Sequence, residues 1–195
     1  MYMSSLLFFD IEISKLDSLD PKDYDMLREE NPSFDFQPEF NKIICISYAD
    51  SSDWEVHSLV GEETKIISEF MRVVQKSDKI CWYNILWFDA PFIAKRSVIL
   101  WLPIVNKLKA HNVKPWDCNH ILDLFLVWKH WSTKACNLDT LCGALDIPTP
   151  KDKMDWSEVD TYYRAGRIDE IKEYCEKDVI ACVKVWKRFV ETNLI

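Results

Sequence analysis

The sequence predicts one α/β domain built on a mixed sheet, and three observations predict it. The first is Leu6-Leu7-Phe8-Phe9-Asp10-Ile11-Glu12-Ile13, a run of strand length that is apolar on both faces apart from two acids near its end. Side chains alternate along a strand, so Leu6, Phe8, Asp10 and Glu12 share one face and Leu7, Phe9, Ile11 and Ile13 the other. Such a run belongs to a central strand covered on both sides. The second is that the next two apolar runs are joined by a turn-forming cluster, which makes strands one to three an antiparallel meander. The third is the later alternation of short apolar runs with helical spacing, closing on a long amphipathic helix.

A chain of 195 residues, 48% hydrophobic and 13% aromatic, fills one core and is short for two, so 1–195 reads as a single domain. No apolar stretch reaches the ~20 residues of a membrane span, and the N-terminus lacks the features of a signal peptide. A cytoplasmic location without a membrane partner is expected. The seven cysteines are odd in number and form no C-x-x-C, and the four histidines lack ligand spacing, so neither a disulfide nor zinc is expected. A formal charge of −8 excludes a broad basic surface for nucleic acid. It leaves room for a small acidic site that meets phosphates through metal ions.

In order, the opening strand leads into a polar insertion at about 14–41, rich in Asp and Glu and punctuated by Pro21, Pro32 and Pro38. It is too long for a hairpin loop and has the length of a functional lid, with Phe34, Phe36 and Phe40 available to pin it. Lys42 to Tyr48 and Trp54 to Leu59 read as strands joined through Asp50-Ser51-Ser52-Asp53. Glu62 to Gln75 carries Ile66, Ile67, Phe70, Val73 and Val74 at helical spacing, and Lys79 to Tyr83 is a short fourth strand. Pro91 marks a helix start. Positions 103–119 show no clear period. His120 to Trp131 reads as helix, Asn137 to Leu145 as a short helix, Lys151 to Met154 as a polar loop, and the chain from about Trp156 as helix broken near Gly166.

Four acids stand out against this frame. Asp10 and Glu12 lie on one buried face, where charge is costly unless it is paired or holds a cation. For an isolated pair, the alternative is a strand end emerging into solvent. Asp178 interrupts the inward stripe Ile171, Cys175, Cys182, Val185, Phe189, and Tyr174 lies one turn before it. A Tyr to Asp packing contact would explain that pair alone. Asp89 begins the helix marked by Pro91, where the dipole favours negative charge and where a cap is the simplest reading.

These stretches resemble a known family, the DEDD 3′ to 5′ exonucleases, in the tyrosine-containing DEDDy branch related to the proofreading domain of family B DNA polymerases. Phe8-Phe9-Asp10-Ile11-Glu12 is similar to the first motif, Asn84-x-x-x-Phe88-Asp89-x-Pro91-Phe92 to the second, and Tyr174-Cys175-x-x-Asp178-Val179 to the third. Ile121-Leu122-Asp123-Leu124 and Asn137-Leu138-Asp139-Thr140-Leu141 resemble connecting segments of the stand-alone PolB-like exonucleases. The sequence departs from the pattern at Ile13, where the first motif usually has threonine, and at Trp82, where glycine usually precedes the second-motif asparagine by two.

The resemblance implies a ribonuclease H-like fold, a mixed five-stranded sheet flanked by helices, and hydrolysis of phosphodiesters from a free 3′ end using two divalent ions, Mg2+ or Mn2+. It implies Asp10, Glu12, Asp89 and Asp178 as metal ligands, Tyr174 as the group orienting the attacking water, and Ile11, Asn84 and Phe88 as substrate contacts. The implied partner is DNA with single-stranded 3′ ends. RNA is the alternative substrate, since the 2′-hydroxyl contact is not legible here. A non-catalytic member binding a nucleic-acid end or a protein is the alternative of another class. Lys107, Lys109 and Lys114, or Lys129 and Lys134, are candidates for steering the strand, with solvated surface as their plain reading.

Overall fold

The computed structural model describes residues 5–18, 20–31, 33–109, 120–130, 134, 136–149 and 154–195. Its centre is β1 (Leu6–Lys15), and its two faces pack as the alternation requires. Phe8 meets Trp54 and Trp186, whereas Phe9 meets Phe70 at 4.7 Å, and both phenylalanines are fully buried. Each ring removed from water contributes about 1.5–3 kcal/mol, and losing either would leave a cavity between sheet and helix.

The remaining strands are β2 (Asn41–Asp50), β3 (Val56–Val60), β4 (Lys79–Trp82) and β5 (Ile121–Asp123), in the sheet order β3-β2-β1-β4-β5. β1, β2 and β3 pair antiparallel, while β4 runs parallel to β1 and β5 parallel to β4. This is the mixed five-stranded sheet that the resemblance implied, with helices on both faces. The β1–β2 register shifts between Glu12 and Ile13, so Cys45 and Ile43 oppose them and Ile44 is the extra residue. Ile44 and Cys45 both join the small cluster around Ile171, Tyr174 and Cys175, whereas Ile43 and Ile46 belong to the main core. The bulge thus turns two successive side chains towards one helix.

The helices are α1 (Pro21–Glu30), α2 (Glu63–Lys76), α3 (Asp89–Ile99), α4 (Leu124–Lys129), α5 (Leu138–Ala144), α6 (Val159–Arg164) and α7 (Ile168–Glu191). In α2 the buried stripe is Ile66, Ile67, Phe70, Met71 and Val74, the face that covers Phe9. In α7 it is Ile171, Tyr174, Cys175, Val179, Ala181, Cys182, Val185 and Phe189, the stripe expected from the sequence widened by Tyr174, Val179 and Ala181. Gly166, between α6 and α7, has φ +74°, a conformation in which a side chain would be strained.

Two expectations differ from the structure. His120 to Trp131 is not all helix: Ile121–Asp123 is a strand and only Leu124–Lys129 is helical. A strand of three residues is too short to show a period of two. The segment expected as a loop over 14–41 begins and ends inside strands and carries α1 and a 3-10 turn at Phe34–Phe36. It is anchored by Phe34, fully buried against Tyr24 and Phe40, and by Arg96, which donates to the Pro38 carbonyl at 2.8 Å. Arg96 also forms a buried two-point pair with Glu63, and Glu63 accepts from the Ile43 amide. One ion pair therefore ties the insertion, α2, α3 and β2 together. Lys114 and residues 151–153 of the loop expected over Lys151 to Met154 lie outside the described residues.

Candidate active site

The parallel strands β1, β4 and β5 all point their carboxyl ends at one edge of the sheet, the edge where open α/β sheets bind ligands. Asp10 and Glu12 lie near that end of β1, on the face covered by α7. The Cys175 thiol on α7 donates to the Asp10 carbonyl at 3.5 Å, which fixes how closely helix and strand approach. β4 pairs with β1 only as far as Phe8 opposite Cys81, so the β1 edge beyond that point is open. Asp89, the first residue of α3, fills it: its carboxylate is drawn down by its own backbone amide and by that of Ile11. Tyr174 and Asp178, four residues apart on α7, complete the group.

The electrostatics are those of crowded acids. Carboxylate atoms of Asp10 and Glu12 and the Cys175 sulfur lie within 4.8 Å of one another. Burial raises the Asp10 carboxyl well above its ordinary range, and the charges of Glu12, Asp178 and Asp89 raise it further. Glu12 is pushed the same way by burial and then by Asp178. Asp89 is raised chiefly by burial, against the pull of the two amides. The strongest charged neighbours of these acids are other carboxylates, so their repulsion is left for something else to relieve. The donor set fits a hard divalent cation, because it is made of carboxylate oxygens. The Cys175 thiol does not compete as a ligand: burial holds it well above its ordinary value, so it stays protonated and donates. Tyr174 is likewise raised, first by burial and then by Asp178, Glu12 and Asp10, so its phenol keeps its proton.

Asp10, Glu12, Tyr174 and Asp178 open onto a cleft of about 300 Å³, with Ile11 and Phe88 also in its walls. The insertion forms the opposite side, through Tyr24, Arg28 and Phe36. Asp89 lies behind this surface, 3% exposed, and acts on Asp10 and Glu12 by charge. Asn84 does not line the cleft. Its backbone has φ +69°, which asparagine tolerates better than most residues, and its amide donates to Asp123 at 2.9 Å.

Asp123 is a residue that sequence reading left without a role. At the end of β5 and 4% exposed, it accepts from the amides of Asn84, Leu86 and Phe125 and so shapes the turn leading from β4 to Asp89. The signal was present, since Ile-Leu-Asp-Leu places an acid at the end of an apolar run much as the opening strand does. Of the two departures, Ile13 lines the cleft, whereas Trp82 is 4% exposed in the main core and does not. A second group that could hold a cation, Asp53, Glu55 and His57, is exposed around the start of β3.

A family described as "Predicted 3'-5' exonuclease related to the exonuclease domain of PolB" matches residues 34–193. That span contains Asn84, Phe88, Asp89, Tyr174 and Asp178 and begins after Asp10 and Glu12. The DNA polymerase of Archaeoglobus fulgidus is 26% identical over 153 residues, 74% of this chain and 20% of that protein. The structure of the family B DNA polymerase from the hyperthermophilic archaeon Pyrobaculum calidifontis matches with a TM-score of 0.72 at 17% identity, covering 98% of this chain and 25% of that one. The last is a likeness of fold. The chain spans between a fifth and a quarter of the length of these relatives.

Proposed function

The chain belongs to the family of predicted 3′-5′ exonucleases related to the exonuclease domain of PolB, and from that premise we propose that it removes nucleotides from the 3′ end of single-stranded DNA by metal-assisted phosphodiester hydrolysis. The observation that carries this reading is the convergence of Asp10, Glu12 and Asp178 in the wall of one cleft with Asp89 behind them, where the charges of the other three raise Asp10 beyond the effect of burial. A fold tolerates that repulsion where a cation repays it. Asp10, Glu12 and Asp178 would hold one Mg2+ or Mn2+, and Asp10 with Asp89 a second. Bound there, such ions supply charge stabilisation for the phosphoryl and leaving oxygens and acidify water.

The chain's own groups do the rest. Tyr174, kept protonated, donates a hydrogen bond that orients the attacking water and does not act as its base. Phe88 and the Ile11 backbone, both in the cleft wall, position the terminal nucleotide. Asn84 does not line the cleft, and its part in holding the substrate rests on the motif alone.

The test is incubation with 5′-labelled single-stranded DNA or RNA of matched sequence, in magnesium, manganese or chelator. A descending ladder on DNA, weaker cutting of RNA, no cutting with chelator and strong slowing by a blocked 3′ end are expected. Equal cutting of circular DNA would refute the directional claim.

A further inference from the structure

Three aromatic rings from three separate elements meet in the wall of the cleft. Phe36 ends the 3-10 turn of the insertion, Phe88 precedes α3, and Trp156 opens the 3-10 turn before α6. The Phe36 ring lies 4.9 Å from Trp156 and 5.8 Å from Phe88, centroid to centroid. Yet Phe36 is 43% exposed and Trp156 49%, while Phe34, two residues earlier in the same turn, is fully buried. The turn thus assigns its two phenylalanines opposite tasks: Phe34 holds it to the body and Phe36 is presented to the cleft. Adjacent apolar rings left half open inside a concave site mark a surface that a ligand covers.

We propose that Phe36 and Trp156 form a stacking platform for unpaired bases at the 3′ end of a single-stranded nucleic acid. The inference rests on the exonuclease reading above and adds what the site grips. A protein of net charge −8, with Asp10, Glu12 and Asp178 in the wall of its cleft and Asp89 behind them, gains little by neutralising phosphates. The cations in the cleft wall are already engaged, Lys15 at 4.0 Å from Asp160 and Arg28 at 3.1 Å from Asp35. Affinity then has to come from uncharged contact, and the contact these rings offer is with the flat face of a base. That face is open only when the base is unpaired and unstacked, and all four bases possess it, so the platform selects single strands without selecting sequence. The 14–41 insertion acquires a role by the same geometry, because it carries Phe36 to the wall.

The test is binding, read apart from cleavage. The full chain is titrated in magnesium into 5′-fluorescein oligonucleotides whose terminal linkage is a phosphorothioate, and anisotropy is followed. One oligonucleotide is ordinary, one has two abasic residues at its 3′ end, and one is a blunt duplex. The ordinary strand should bind roughly 5- to 100-fold tighter than the abasic one, the range stacking of one base supplies. Phe36→Ala and Trp156→Ala should bring the ordinary strand towards the abasic affinity and leave the abasic affinity unchanged, and Trp156→Phe should restore most of the loss. Trp101→Ala removes a tryptophan 95% exposed and outside the cleft, and should behave as the parent. Equal affinity for ordinary and abasic strands, variants that weaken both alike, or no binding of any strand would overturn the platform. Binding with the expected pattern but no hydrolysis of the unmodified strand would overturn the exonuclease reading and leave the platform standing.

Discussion

Asp123 at the end of β5 and the pair Asp10 and Glu12, on β1 just past its pairing with β4, are comparable acids on parallel strands of one sheet. Their surroundings are opposite. Asp123 faces three backbone amides at 2.9–3.2 Å, so every direction from its carboxylate is answered by a donor. Asp10 and Glu12 face Asp178 and Asp89, so each adds to the cost of the others. Burial raises all three carboxyls, but only at Asp123 do hydrogen bonds pull back strongly. A buried acid surrounded by amides is part of the scaffold. A set of buried acids surrounded by acids is maintained at the expense of the fold, which points to a ligand.

The largest effects should separate the two regions cleanly. Asp123→Ala leaves three amides of a buried turn without an acceptor, and a loss of about 3–5 kcal/mol in urea unfolding is expected. Asp10→Asn should leave the metal-free protein as stable as the parent, or more stable by about 1 kcal/mol, because it removes a repelling charge. Nuclease activity should follow the reverse logic, falling by about a thousandfold or more in Asp10→Asn, whose fold is intact. If Asp10→Asn unfolds as readily as Asp123→Ala, the two ends are not different in kind and the acids of β1 are scaffold.

The contrast also explains what could be read from the sequence. Asp10 and Glu12 were legible because alternation puts both on the face of Phe8, and Asp178 because it breaks a helical stripe. Asp89 was legible as a helix start, but its approach to Ile11 depends on β4 ending early, which is a matter of register. Asp123 was missed because, although it ends an apolar run, that run is only three residues long and the acid's partners are backbone amides of a distant turn, which no residue type announces. Asn84 shows the same limit: its identity suits a left-handed backbone, information a motif does not separate from substrate contact. Phe36 and Trp156 lie 120 positions apart, and only the docked insertion brings them together. Trp82, a departure from the second motif, is a core residue, and nothing in the motif shows which way its side chain packs.

A smaller effect is expected at Tyr174, which borders the acids without being one. Tyr174→Phe keeps the ring, 7% exposed, and removes only the hydroxyl, so stability should change by less than about 1 kcal/mol and metal binding by little. Cleavage should slow by roughly 10- to 100-fold, the share of a group that orients a water without taking its proton. Because the phenol is held above its ordinary value, the pH–rate profile of the parent should show no limb due to its ionisation below about pH 10. The variant should then lower the profile without changing its shape. A limb present in the parent and absent in the variant would make Tyr174 a base and move it into the acidic group.

The smallest effect, and the one that tests the comparison without any substitution, is the pH dependence of stability. The ordinary values are 3.8 for Asp and 4.5 for Glu, and in the folded protein Asp10, Glu12 and Asp89 lie above them. Below the ordinary values these acids are protonated in both states and cost nothing. As pH rises through the raised folded values, the folded protein must ionise them against burial and one another, and stability is lost. The metal-free protein should therefore be less stable at neutral pH than near pH 5, by about 1–2 kcal/mol. Asp160 works in the opposite direction: hydrogen bonds from Ser14 and Arg164 outweigh its burial and lower its value, so its contribution is lost only as pH falls below about 4, outside this window. Saturating magnesium should abolish the loss towards neutral pH, because the ion requires the ionised acids, and Asp10→Asn should reduce it. Asp123 is also raised, so the part of the slope that survives both magnesium and Asp10→Asn belongs to the scaffold acid. A slope wholly indifferent to magnesium would mean that the β1 acids carry none of it.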